Sequence, residues 1–236
     1  MQDARFMEHV SSNIAREVGR LVDWREKFWS SRYRAIVVSE EKKAQVERLR
    51  YVLSNGCKEG LVEKARDWPG VHSARCVLDG EPLKGYWFDR TKEGAARRRG
   101  EDPGKLTYAT EEEVVLSPLP CWSDRSEEQV RERVLELVED IEREAAAERQ
   151  SKGLKPLGLR TILAQHSHSK PKKTKRSPAP RFHAATKVVR DSLREAYLLF
   201  LASFLEAAEK LRAGDRRARF PEGSFPPALP FMVPWA

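Results

Sequence analysis

Seven apolar residues near the C-terminus, Val189, Leu193, Ala196, Phe200, Phe204, Ala208 and Leu211, stand three or four positions apart. That spacing lays them on one stripe of an α-helix running from about residue 183 to 212, with Gly214 past its end. The same period recurs elsewhere. Phe6, Val10, Ile14, Val18 and Leu21 predict a helix over about 4–22, and Val130, Val134, Leu137 and Ile141 predict another running to about 150. Ser126 and Gln129 have the spacing of a capping box at the start of the latter. So much helical period requires helices to bury their stripes against other elements, and the expected class is α+β, mostly helical.

Between these helices the pattern changes. In "FWSSRYRAIVVS" aromatic and β-branched residues alternate with Arg32 and Arg34, which predicts a half-buried strand with a basic outer face. A helix is expected from about 40 to 54, opened by Ser39 and closed by Gly56, and a short one after Pro69. Residues 80–123 mix Gly, Pro and charge, and "ARRRGEDPGK" reads as a solvated loop. The expected organisation is a first domain over 1–95, an irregular connector over 96–125, a helical extension over 126–214 and a Pro-rich tail over 215–236.

Charge narrows the partner. The net charge is +8, yet twelve Lys or Arg and no Asp or Glu lie between Glu148 and Asp191, so the remainder of the chain is slightly acidic. The centre of this window, a basic linker over 166–181, contains Lys170, Lys172, Lys173, Lys175, Arg176 and Arg181. Such a cluster neutralises phosphates and releases counterions, giving salt-sensitive affinity for DNA that needs no particular spacing. Three separated cysteines argue against a disulfide framework and a zinc knuckle. The N-terminus has no signal-peptide core, and the longest apolar run, "YLLFLASFL", is far short of the roughly 20 residues a spanning helix needs. A cytoplasmic protein with no membrane partner is expected. No Walker lysine, Gly-rich phosphate loop or Gly-x-Ser-x-Gly elbow is present.

Tyr51 is the residue that raises a chemical question. On a helical wheel Arg48, Tyr51 and Asn55 fall opposite the stripe of Val46, Leu49, Val52 and Leu53. A tyrosine serving only to pack would sit on that stripe. The segment "YVLSNGCKEGLV" followed by "RDWPGVHSA" resembles the second half of the single-tyrosine HUH transposases of the REP-associated tyrosine transposase type. Their pattern is Tyr-x-x-x-Asn-Pro-Val-x-x-Gly-Leu-Val before a Tyr/Trp-Pro-Trp-Ser-Ser turn. Tyr51, Asn55, Gly60, Leu61 and Val62 match it, while Gly56 replaces the proline and "WPGVHSA" departs from the turn.

The resemblance covers about residues 1–90, and it implies a partial transposase-like α/β domain followed by the helical extension. Tyr51 would then be the nucleophile that attacks a DNA phosphate to give a 5′-phosphotyrosyl link. A divalent metal, Mg or Mn, would polarise that phosphate, with Asn55 as an auxiliary ligand. Arg32, Arg34 and Arg48 would lie near single-stranded or hairpin DNA. The family's His-hydrophobic-His pair precedes its tyrosine, whereas here His9 is the only histidine before Tyr51. The expectation is thus a chain lacking the metal-binding half and inactive alone. His166 and His168 alternate as a strand pair would, but serine separates them and lysines follow. Two other readings stand beside this one: a non-catalytic nucleic-acid-binding accessory protein, and a helical interaction module whose stripes pair with each other or form a homodimer.

Overall fold

The computed structural model describes residues 2–29, 33–166, 168–169 and 180–227. Helix occupies 54% of the chain against 8% strand, which makes the fold α+β and mostly helical. Its elements in order are α1 (Gln2–Leu21), β1 (Val37–Val38), α2 (Lys42–Lys58), α3 (Ser73–Asp79), β2 (Leu83–Phe88), α4 (Arg90–Arg98), β3 (Ala109–Val114), α5 (Glu127–Ser151), α6 (Leu159–Leu163), β4 (Phe182–His183) and α7 (Lys187–Arg212). They form two compact units, one of Met1–Ala44 with Ser167–Ala236 and one of Gln45–His166. This grouping differs from the consecutive division at 95 and 126, because α2 and α3 share a core with α5.

The Gln45–His166 unit owns that core. α5 begins with the expected capping box, in which the Ser126 hydroxyl accepts from Gln129 N and the Gln129 side chain accepts from Ser126 N. Val134, Val138, Ile141 and Ala145 then recur at helical spacing and are buried against Leu53, Cys57, Val62, Ala74 and Trp122. Side chains also carry hydrogen bonds across the unit: Glu142 accepts from Ala65 N at 2.9 Å and Gln45 accepts from Cys121 N at 3.0 Å. Each satisfies a backbone donor that the core would otherwise strand.

α2 runs past its expected end. Gly56 is buried inside it, where a Cβ would lie 2.9 Å from Val62 Cγ2. The terminator is Gly60, whose φ of +66° is the left-handed conformation that ends helices. Leu61 N and Val62 N both turn back to the Gly56 carbonyl. Gly56 therefore serves close packing, and the stop lies four residues later.

The region expected to be irregular contains an antiparallel hairpin instead. β2 pairs with β3 from Leu83 opposite Val114 to Phe88 opposite Ala109, and α4 lies between them in sequence. Ala96, Arg97 and Arg98 of "ARRR" belong to α4 and Arg99 caps its end; the helix starts because Asp89 accepts from Lys92 N at 2.9 Å. Lys84 on β2 faces Glu113 on β3 at 2.9 Å.

In the other unit β1 pairs in parallel with β4, Val37 with Phe182 and Val38 with His183. The longer strand expected from "FWSSRYRAIVVS" is reduced to these two residues among those described, since 33–36 have no strand partner. α7 starts at Lys187, capped by Thr186, rather than at 183, because His183 is committed to β4. The Glu41 carboxylate closes this corner by accepting from Ser39 Oγ at 2.8 Å and Ala185 N at 2.7 Å. Burial raises the Glu41 pKa, but the hydrogen bonds outweigh it and hold the carboxyl below its usual range. No helix among the described residues is long and apolar enough to cross a membrane.

Candidate functional site

Helical geometry dictates what surrounds Tyr51. Positions 48, 51, 55 and 58 recur at three, four and three, so Arg48, Tyr51, Asn55 and Lys58 share the polar face of α2. Tyr51 is 50% exposed. The Arg48 guanidinium carbon lies 5.3 Å and Lys58 Nζ 5.8 Å from the centre of its ring, within the range of cation–π attraction. Ser54 donates its hydroxyl proton to the Tyr51 carbonyl at 3.0 Å. Arg48 Nε is buried and has no hydrogen-bond partner among the described residues.

A shallow cavity of about 330 Å³ opens beside the ring, lined by Arg50, Tyr51, Ser54 and Lys58 from α2 and by Glu144 and Glu148 from α5. Arg50 is held by Glu144 at 2.6 Å, and of the cavity's lining cations Lys58 is the one beside the ring. A second cavity of about 320 Å³ shares Lys58 and Glu148 with the first and adds Arg149, Lys152 and Lys155. The two form a groove along α2 and α5 that begins at Tyr51 and ends among cations. A phosphate in the cavity beside Tyr51 would meet Lys58 directly.

The residues expected to act together are brought together in part. Tyr51, Arg48 and Asn55 share one helix face, and Asn55 is exposed one turn beyond the tyrosine. Arg34 is exposed in the other unit, and there Arg181 lies over the Tyr197 ring at 4.9 Å. Arg32, Lys170, Lys172, Lys173, Lys175 and Arg176 lie outside the described residues. Lys58 and Ser54 were not anticipated from sequence. The signal for Lys58 was its place seven residues after Tyr51, two turns along the same face.

The residues around Tyr51 do not fit the divalent metal that the resemblance implies. Asn55 is a single neutral ligand, and no group of three or more His, Cys, Asp or Glu able to hold a metal occurs among the described residues. His72 caps α3 by accepting from Ala74 N at 3.1 Å and also hydrogen-bonds the Val52 backbone, so both its ring nitrogens are used. His168 stacks on Trp24, with ring centres 5.1 Å apart. What remains at the site is an accessible phenol with Arg48 and Lys58 5.3 and 5.8 Å from its ring centre, beside a cavity that the carboxylates of Glu47, Glu144 and Glu148 also line. No family model matches the chain, and neither a curated protein nor a solved structure does, so any functional reading stands on these residues.

Proposed function

We propose that this chain is a transposase-related DNA-binding protein of the cytoplasm that binds single-stranded or hairpin DNA and, by itself, does not cleave it. The observation that carries this reading is Tyr51 exposed on α2 between Arg48 and Lys58, at the position the resemblance assigns to the nucleophile. The acid-free window of twelve basic residues supplies the electrostatic affinity, and Tyr51 with its two cations supplies a local phosphate contact. Cleavage would need a second set of ligands that the described residues do not assemble around Tyr51.

A salt series on a short hairpin and on duplex DNA tests the reading. Binding should weaken steeply with salt, and replacing Lys172, Lys173, Lys175 and Arg176 by Ala should reduce the log–log slope by about three to four. Lys58→Ala should weaken binding without changing the fold, because Lys58 is exposed and makes no ion pair among the described residues. Absence of binding at low salt would refute the proposal, as would strand cleavage by the chain alone that Tyr51→Phe abolishes.

A further inference from the structure

α7 is apolar on two opposite sides. Its first stripe, from Val189 to Leu211, packs within its own unit chiefly at its C-terminal end, where Ala207 and Ala208 are buried and the Phe204 ring meets Phe220, while Ala196 and Phe200 on the same stripe are exposed. About half a turn away around the helix lie Leu198, Ala202 and Leu205, with Leu199 on their flank. Leu198 is 53%, Leu199 65% and Leu205 49% exposed. One apolar stripe is enough to dock a helix, and a second one facing water is disfavoured unless something covers it.

The rest of this unit makes the exposure more telling. Its buried apolar residues among those described are Ala44, Ala207 and Ala208 alone, all of them small. The other unit buries Leu53, Val62, Trp122, Val134, Val138 and Ile141. Among the described residues of the α7 unit no large apolar side chain is fully buried, so less hydrophobic free energy is realised there than in the other unit.

We infer that the outer stripe of α7 is an antiparallel interface with a second copy of this chain. The charges that flank it choose this occupant. With a two-fold axis passing between Leu201 and Ala202, Leu198 of one copy lies opposite Leu205 of the other. The same register sets Arg194 against Glu209, and Asp191 against Arg212, twice each by symmetry. All four residues are exposed and lie on the face that carries the leucines, and none makes an ion pair within the chain among the described residues. Parallel pairing would instead align Arg194 with Arg194 and Glu209 with Glu209, and is disfavoured by that repulsion. The stripe is therefore self-complementary in apolar content and in charge for one orientation only. The surface is independent of Tyr51 and of DNA.

Sedimentation velocity on the DNA-free full chain tests this over about 1–100 µM, a range suited to a small interface. A reversible monomer–dimer equilibrium is expected, and Leu198→Glu should abolish it while leaving the circular dichroism unchanged. Arg194→Glu should weaken the dimer about tenfold, because two opposite-charge pairs become like-charge pairs. Adding Glu209→Arg in the same chain should restore it. Monomer at every concentration would overturn the inference, as would a dimer indifferent to Leu198→Glu, or a Glu209→Arg second change that fails to rescue. The charge-reversed pair keeps the test decisive even where the leucine variant misfolds.

Discussion

His72 shows how one side chain joins two elements and how it would be disturbed. Its Nδ1 accepts from Ala74 N, capping α3, and the ring hydrogen-bonds the Val52 backbone on α2. Burial pushes its pKa below the ordinary 6.5, and the bond to Val52 offsets this only in part. The folded state therefore holds the neutral ring, whose Nδ1 can accept; a proton there would turn the acceptor into a donor and break the cap. Since the folded pKa is depressed, the unfolded chain binds more protons on acidification. The contribution is complete above about pH 6.5 and declines as pH falls below it. Urea midpoints measured between pH 7.5 and 5.5 should fall for the native chain. They should stay flatter for His72→Asn, which keeps an acceptor at the cap without a titrating ring. An identical slope in both proteins would place the pH dependence elsewhere.

At the scale of elements, the helices were legible because burial follows their period. Val134 and Ile141 are buried where the spacing put them, with Val130 and Leu137 half-buried beside them, and the Ser126–Gln129 box forms as two reciprocal hydrogen bonds. Tyr51 was legible for the same reason: its half-exposed position is what the wheel requires of a residue opposite Leu49 and Leu53. Val52 was misplaced, being 47% exposed, because Gly56 and Cys57 turn the buried face of α2 away from it. The β2–β3 hairpin was illegible because "LKGYWF" and "ATEEEV" are solvated on both faces along most of their length and carry no alternation of burial to read.

Gly56 was misread because a glycine looks the same whether it stops a helix or admits a neighbour. Its role is testable. Alanine in a helix interior ordinarily gains about 1 kcal/mol over glycine. Here the added Cβ meets Val62 Cγ2 at 2.9 Å and Trp68 Cε3 at 3.4 Å, and overpacking of this kind costs about 1–3 kcal/mol. Gly56→Ala should thus destabilise by about 1 kcal/mol net in chemical denaturation. In a double-mutant cycle Val62→Ala should recover much of the loss, since it removes the atom that clashes. Stabilisation by Gly56→Ala would mean that Val62 moves aside at no cost.

The whole molecule divides its apolar residues unevenly, and this sets which parts should open first. Trp122, Leu53 and the α5 stripe are buried together, whereas among the described residues of the unit containing α7 the fully buried apolar side chains are alanines, and Leu198, Leu199 and Leu205 are exposed. Local opening costs least where little apolar surface is buried, so backbone amides of α7 should exchange hydrogen faster than those of α5 in dilute protein. An antiparallel α7 pair changes that order by mass action, because binding of a second copy stabilises only the form that presents the stripe. Hydrogen-exchange mass spectrometry at low and high protein concentration should then show peptides spanning residues 198–205 gaining protection as concentration rises. Peptides from α5 should be indifferent to concentration, since their protection comes from the core within one chain. In Leu198→Glu the concentration dependence of the α7 peptides should vanish while α5 stays as protected as before. Equal protection of α7 and α5 in dilute protein would show that α7 is stabilised within a single chain, and its outer leucines would then need no partner to account for them.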